Sequence, residues 1–103
     1  MMKKNYAIIL FITENNCTQE EVNKVISTLD RDFKFENRGA SYSSDKHHKG
    51  TLLIKTSNGY DANTVFEGTK KQLEKVKFSS KKRFNCQLTI AGFDVVTDTI
   101  FIG

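Results

Sequence analysis

The densest apolar run in the chain is Tyr6 to Thr13, Tyr-Ala-Ile-Ile-Leu-Phe-Ile-Thr. Its β-branched and aromatic residues suit a pleated, buried surface, and it is too short for a helix spanning the domain, so it predicts a central strand. After a polar connection, Thr18-Gln19-Glu20-Glu21 has the form of a capping box. Thr18 would accept from the backbone N–H three residues on, and Glu21 would reach back to the N–H of Thr18. Val22, Val25, Ile26 and Leu29 then recur at helical spacing, and the pattern fails after Asp30.

From Phe33 the period shortens to two, with Phe33 and Phe35 alternating with Lys34 and Glu36. Asn37-Arg38-Gly39 interrupts the alternation, and Ala40 to Ser44 continues it beyond a bulge or bend, so a peripheral strand is expected here. Ser43 to Gly50 reads as a polar hairpin tip, and Thr51 to Thr56 as a second well-buried strand. Ser57-Asn58-Gly59 is turn chemistry. Asp61 or Asn63 would cap a second helix whose stripe is Val65, Phe66, Thr69, Leu73 and Val76. Gly68 within it either costs ~1 kcal/mol relative to alanine or marks a close contact with the sheet. Phe84, Cys86, Leu88 and Ile90 then alternate cleanly with Asn85, Gln87 and Thr89. Ala91 to Asp94 is a turn or bulge, and Val95 to Ile102 a last strand with a break expected near Asp98.

This order, β-α-β-β-α-β with an added C-terminal strand, is the split βαβ pattern. It resembles the ferredoxin-like superfold over roughly residues 5 to 91, in element order only. The length gives one α+β domain over residues 1–103, and the resemblance implies an antiparallel sheet with two helices on one face, to which Val95 to Ile102 adds an extra C-terminal strand. It also places the first and third strands at the centre, where the two most apolar strand segments fall.

A sheet covered on one face should alternate in its central strands, yet Ala7, Ile9 and Phe11 are as apolar as Tyr6, Ile8, Leu10 and Ile12. Both faces of that strand ask for burial. The second face, which Leu53 is expected to share, would be covered by Val95 to Ile102, by a second subunit or by a partner.

Charge changes the picture locally. Residues 70 to 83 carry Lys70, Lys71, Lys75, Lys77, Lys81, Lys82 and Arg83 against Glu74 alone, while the whole chain carries only +4, so the remainder is net acidic. A concentrated patch steers an acidic partner; a diffuse excess mainly aids solubility. No apolar run approaches the ~20 residues of a membrane helix. Met1-Met2-Lys3-Lys4 leads straight into the strand without a cleavage site, and two cysteines are too few for a disulfide framework. A cytoplasmic protein without membrane contact is the expectation.

Candidate chemistry is sparse. Lys49-Gly50-Thr51-Leu52-Leu53-Ile54-Lys55-Thr56 resembles the third-strand motif of RNA-recognition domains at Lys49, Gly50 and Ile54, with Thr51, Leu53 and Thr56 standing where that family has aromatics. Tyr6 offers one ring on the first strand. His47 and His48 are adjacent, with no carboxylate or cysteine at a ligand spacing, and read as a loop tip. Cys17 precedes a helix, where the dipole can lower a thiol pKa. The metal carriers of this fold need Cys-x-x-Cys there, and position 20 is Glu20. Cys86 reads as core. Asp30, Asp32, Asp45, Asp61, Asp94 and Asp98 are scattered over turns and element ends. The acylphosphatase pattern needs an arginine after the first strand, and that loop has none.

With no catalytic residue, metal ligand or cofactor motif identified, the expected function is a small non-enzymatic protein-binding module. It would be an inhibitor, immunity or accessory protein that docks an acidic partner through Lys70 to Arg83, with a homodimer through the open sheet face or the C-terminal strand. The rival is a nucleic-acid-binding protein using the same lysines, with Phe78 and Phe84 interleaved among them. A metal-dependent nuclease of ferredoxin-like fold is the third reading.

Overall fold

The computed structural model describes residues 2–14, 17–29, 35–41 and 49–103. The apolar run forms β1 (Lys4–Ile12), and it lies at the middle of one five-stranded antiparallel sheet. The remaining elements are α1 (Gln19–Thr28), β2 (Phe35–Ser41), β3 (Lys49–Gly59), α2 (Ala62–Leu73), β4 (Phe84–Ala91) and β5 (Val95–Ile102). Spatial order is β2-β3-β1-β4-β5, the ferredoxin-like arrangement with a fifth strand added beyond β4. Among the described residues, no helix is long and apolar enough to cross a membrane.

Register decides which residues meet. Leu10 lies opposite both Leu53 and Leu88, and Ile8 opposite Lys55 and Ile90. Because side chains alternate, Tyr6, Ile8, Leu10 and Ile12 share one face with Leu53, Phe84, Cys86, Leu88 and Ile90, and the helices bury that face. Leu53 is fully buried there, so it belongs to the helix side and not to the second face. The second face of β3 is carried by Leu52 and Ile54, opposite Phe11 and Ile9. β5 does not fold over that face. It pairs with β4 without interruption from Ala91↔Val95 to Phe84↔Ile102, so the expected break at Asp98 is absent.

Two other boundaries differ from the sequence reading. β3 continues through Ser57-Asn58-Gly59, because β1 offers it partners as far as Lys4, and the turn moves to residues 60–61. Asn37-Arg38-Gly39 pairs in unbroken register with β3, so β2 has no bulge there. Phe33, Asp30, Asp32, Asp45, His47 and His48 lie outside the described residues.

Both helix starts follow their caps. Thr18 Oγ accepts from the Glu21 N–H at 3.2 Å while Glu21 Oε1 accepts from the Thr18 N–H at 2.9 Å, completing the box. Asp61 Oδ1 accepts from the Thr64 N–H at 2.7 Å and begins α2. A second carboxylate reinforces that start: Asp94 accepts from the Ala62 N–H and, at 2.5 Å, from the Tyr6 hydroxyl. The β4–β5 turn is thereby tied to β1 and α2 together. The Tyr6 phenol is pushed up to about 12, first by this bond to the carboxylate and then by burial. The same bond holds the Asp94 carboxyl below its ordinary value.

At the outer edge of the sheet, the alternation of backbone groups can be followed from Thr13, whose N–H donates to the Asn85 carbonyl. Odd-numbered residues of β4 thus face β1, even-numbered ones face β5, and the odd-numbered residues of β5 point their N–H and C=O groups outward. One of these outward donors, the Thr99 N–H, is taken by Asp98 Oδ1 at 2.8 Å.

The two glycines Gly68 and Gly92 are expected to respond oppositely to alanine. A Cβ at Gly68 meets nothing within 4 Å, so this helix-interior glycine makes no close approach to the sheet. Gly68→Ala should stabilise the protein by about 0.5–1 kcal/mol. A Cβ at Gly92 would lie 2.7 Å from the Asn5 carbonyl oxygen and the Tyr6 ring. Gly92→Ala should destabilise by about 1–3 kcal/mol. Urea unfolding of both variants checks the pair.

Candidate functional site: a basic corner anchored to the core

The segment after α2 alternates between anchors and cations. Val76 is fully buried, Phe78 and Phe84 are nearly so, and the two rings meet edge to face with centroids 5.4 Å apart. Lys75, Lys77, Lys81 and Arg83 stand between these anchors and are exposed, as is Lys71 on the last turn of α2. The apolar residues hold the backbone while the intervening cations face water. Cations near this helix end also complement the partial negative charge of its last carbonyls.

Lys81 has φ of 60°, the only described non-glycine residue at positive φ, and its N–H closes a turn on the Phe78 carbonyl at 3.0 Å. Lys82 and Arg83 are committed locally. Lys82 Nζ lies 3.3 Å from Glu21 Oε1, and the Arg83 guanidinium lies 4.7 Å from the centre of the exposed Phe101 ring. Lys70 is half-buried and lines a small cleft with Glu74, Arg83 and Phe101. The seven cations therefore form one corner of the molecule with inner and outer members. Its outer members are Lys71, Lys75, Lys77 and Lys81.

Between this corner and α1 runs a groove of about 600 Å³, lined by Lys24 and Ser27 on the helix and by Lys77, Phe78, Ser79 and Lys82 opposite. Glu21 joins the two walls. Its Oε2 accepts from the Ser80 hydroxyl at 2.7 Å, and its Oε1 serves both the Thr18 N–H and Lys82. Burial alone would push this carboxyl up, but the Thr18 N–H, the Ser80 hydroxyl and the Lys82 ammonium outweigh it and hold it at about 2. The capping box makes the local bonds of Glu21 legible in the sequence. Its ties to Ser80 and Lys82, 59 and 61 residues away, have no sequence signal.

Other expected features resolve differently. The Tyr6 ring is buried under the helices, not displayed on the sheet. Phe78 and Phe84 are anchors, and neither is free to stack on a base. The Cys17 thiol is raised to about 11, by burial and then by the neighbouring Glu21 carboxylate, so the helix start does not activate it. Cys86, by contrast, lies in the core as expected, fully buried and raised to about 12, chiefly by burial. Lys55, which in the sequence is marked only as a strand residue, is just 2% exposed on the helix side of the sheet. Among the described residues, no group of three His, Cys, Asp or Glu could hold a metal ion.

Comparison with known proteins finds no matching family model, no matching curated protein and no matching solved structure.

Glu21 generates a pH-dependent expectation. Its folded value of about 2 lies below the ordinary 4.5, so its contribution is fully present above about 4.5 and is lost as pH falls toward 2. Glu21→Gln should lower stability by about 1–2 kcal/mol at pH 7. The gap between variant and wild type should narrow between pH 4.5 and 2, measured by urea titrations across that range.

Proposed function

We propose that the chain is a small non-enzymatic protein-binding module, an inhibitor, immunity or accessory protein, that docks an acidic protein partner through its basic corner. The observation that carries this reading is the alternation of Val76, Phe78 and Phe84 in the core with Lys75, Lys77 and Lys81 in solvent. Cations on a fixed backbone lose less freedom on binding than cations on a loose tail, and a rigid charged corner suits electrostatic steering toward an acidic surface. Lys81 supports it further. The left-handed region favours glycine or asparagine, and a lysine held there costs of order 1 kcal/mol that a glycine would avoid.

A protein partner is preferred over nucleic acid for a geometric reason. Glu20 and Glu21 line the groove together with Lys24, Lys77 and Lys82, and Glu74 lines the cleft with Lys70 and Arg83, so a phosphate backbone laid along these cations would also meet carboxylates. The sheet face that an RNA-recognition domain would use has Phe11 as the single aromatic on its two central strands. The two free cysteines suit a reducing compartment, and a cytoplasmic location forms part of this proposal.

The test compares the wild type with a Lys71→Glu, Lys75→Glu, Lys77→Glu triple variant, each tagged and used as bait in nuclease-treated cell extract. A protein retained stoichiometrically by the wild type and lost by the variant is the expected result. Retention of nucleic acid without nuclease, with every bound protein vanishing after it, would transfer the corner to the nucleic-acid reading. A set of captured proteins indifferent to the three substitutions would remove the corner from function altogether. Lys81→Gly separates fold from function: stability should stay within about 0.5 kcal/mol of wild type or rise, while capture weakens.

A further inference from the structure

The sheet face away from the helices has a composition unlike the rest of the molecule. On β1, β3, β4 and β5 it carries Asn5, Ala7, Ile9 and Phe11; Gly50, Leu52, Ile54, Thr56 and Asn58; Asn85, Gln87, Thr89 and Ala91; and Val95, Thr97, Thr99 and Phe101. None of these is charged, in a chain that is 27% charged. The face has an apolar centre, Ile9, Phe11, Leu52 and Ile54, with Val95 and Phe101 exposed at its far side. Lys55, the one buried lysine among the described strand residues, points to the helix side.

We propose that this face is a homodimer interface on which a second copy packs sheet to sheet. The register carries the argument. One row across the strands reads Leu52, Phe11, Gln87, Thr99, and the next reads Ile54, Ile9, Thr89, Thr97. The rows match position by position in kind: aliphatic with aliphatic, large apolar with large apolar, amide with hydroxyl, threonine with threonine. A two-fold axis running across the strands between these rows exchanges them. Phe11 then lies over Ile9 of the second copy, Leu52 over Ile54, Gln87 over Thr89 and Thr99 over Thr97. The flanking rows bring Val95 toward Phe101 of the second copy, covering two exposed apolar side chains with each other.

The size and charge of the face select this occupant. The four strands that carry these positions, at ~4.8 Å spacing and about seven residues of ~3.3 Å each, present roughly 440 Å² in projection. Accessible area exceeds projection on a corrugated surface, so these four strands alone supply more than half of the ~800 Å² per partner of a standard interface. A nucleic-acid strand or an anionic membrane would meet no cation on these seventeen positions, and on β2 the register sets Arg38 in the Leu52 row and Glu36 in the Ile54 row, positions that the same two-fold places opposite each other. A second copy needs no complementary charge, because each face supplies the other's match. Arg83, over the Phe101 ring, stands at the rim where charge remains hydrated.

Sedimentation equilibrium or light scattering at about 10–100 µM tests the interface. The wild type should show twice the 11.8 kDa chain mass. Thr89→Lys and, separately, Gln87→Lys place a charge at the centre of the face and should each raise the dimer dissociation constant at least about 30-fold. Neither touches the helix-covered core, so the thermal midpoint extrapolated to low concentration should hold; if one fails to fold, the other decides. Lys77→Glu, at the basic corner, should leave the mass unchanged. A monomeric wild type at 100 µM, or a dimer unaffected by the face substitutions, would overturn the proposal whatever the fate of the basic corner.

Discussion

The structure depends on β1 having hydrogen-bonded neighbours on both edges. A strand with as many apolar residues as this one could not end a sheet, where its backbone groups would face water or another chain. β3 satisfies one edge along all nine of its residues, and β4 the other from Ala7 to Ile12. Once these pairings exist, alternation sends Tyr6, Ile8, Leu10 and Ile12 to the same side as Leu53 and Leu88, and the helices have one surface on which to pack. Tyr6 then extends the influence of β1 beyond the sheet, since its hydroxyl fixes Asp94, and Asp94 in turn receives the first N–H of α2.

Much of this was legible because local chemistry and global arrangement agree. The Thr18 to Glu21 box, the Asp61 cap, the helical stripe from Val65 to Leu73 and the alternation from Phe84 to Ile90 each appear in the sequence as they appear in the fold, while Val76, expected on that stripe, lies past the helix end. The failures share one cause, which is that pairing across strands overrides local residue preference. Ser57-Asn58-Gly59 has turn residues but stays in β3 because Lys4, Asn5 and Tyr6 offer it a ladder. Leu52 and Leu53 look alike along the chain, and only the register assigns them to opposite faces. The same holds at the basic corner, where the sequence displays all seven cations equally. Long-range contacts with Glu21 and Phe101 are what withdraw Lys82 and Arg83 from the outermost group.

Charge is therefore sorted by location more sharply than the net value of +4 conveys. Cations concentrate at the end of α2 and the segment beyond it, while the open sheet face carries none on its four fully described strands. The two surfaces differ in kind, one electrostatic and hydrated, the other neutral and partly apolar. The first is anchored by the edge-to-face contact of Phe78 with Phe84, and the row symmetry of the second arises from the alternation of side chains along paired strands.

Asp98 gives the outer boundary of the sheet a property that composition does not reveal. β5 carries no proline and no bulge, and its eight residues pair with β4 throughout, so its free edge is straight enough to template a further strand. The Asp98 carboxylate occupies the outward Thr99 N–H near the middle of that edge, and any incoming strand would have to displace it and lie beside its charge. Growth by adding strands at this edge is thereby discouraged, while the proposed stacking through the sheet face would use each copy's one such surface and stop at two. With the β5 edge guarded in this way, pairing through the half-apolar sheet face would close on itself and not begin a fibre from β5.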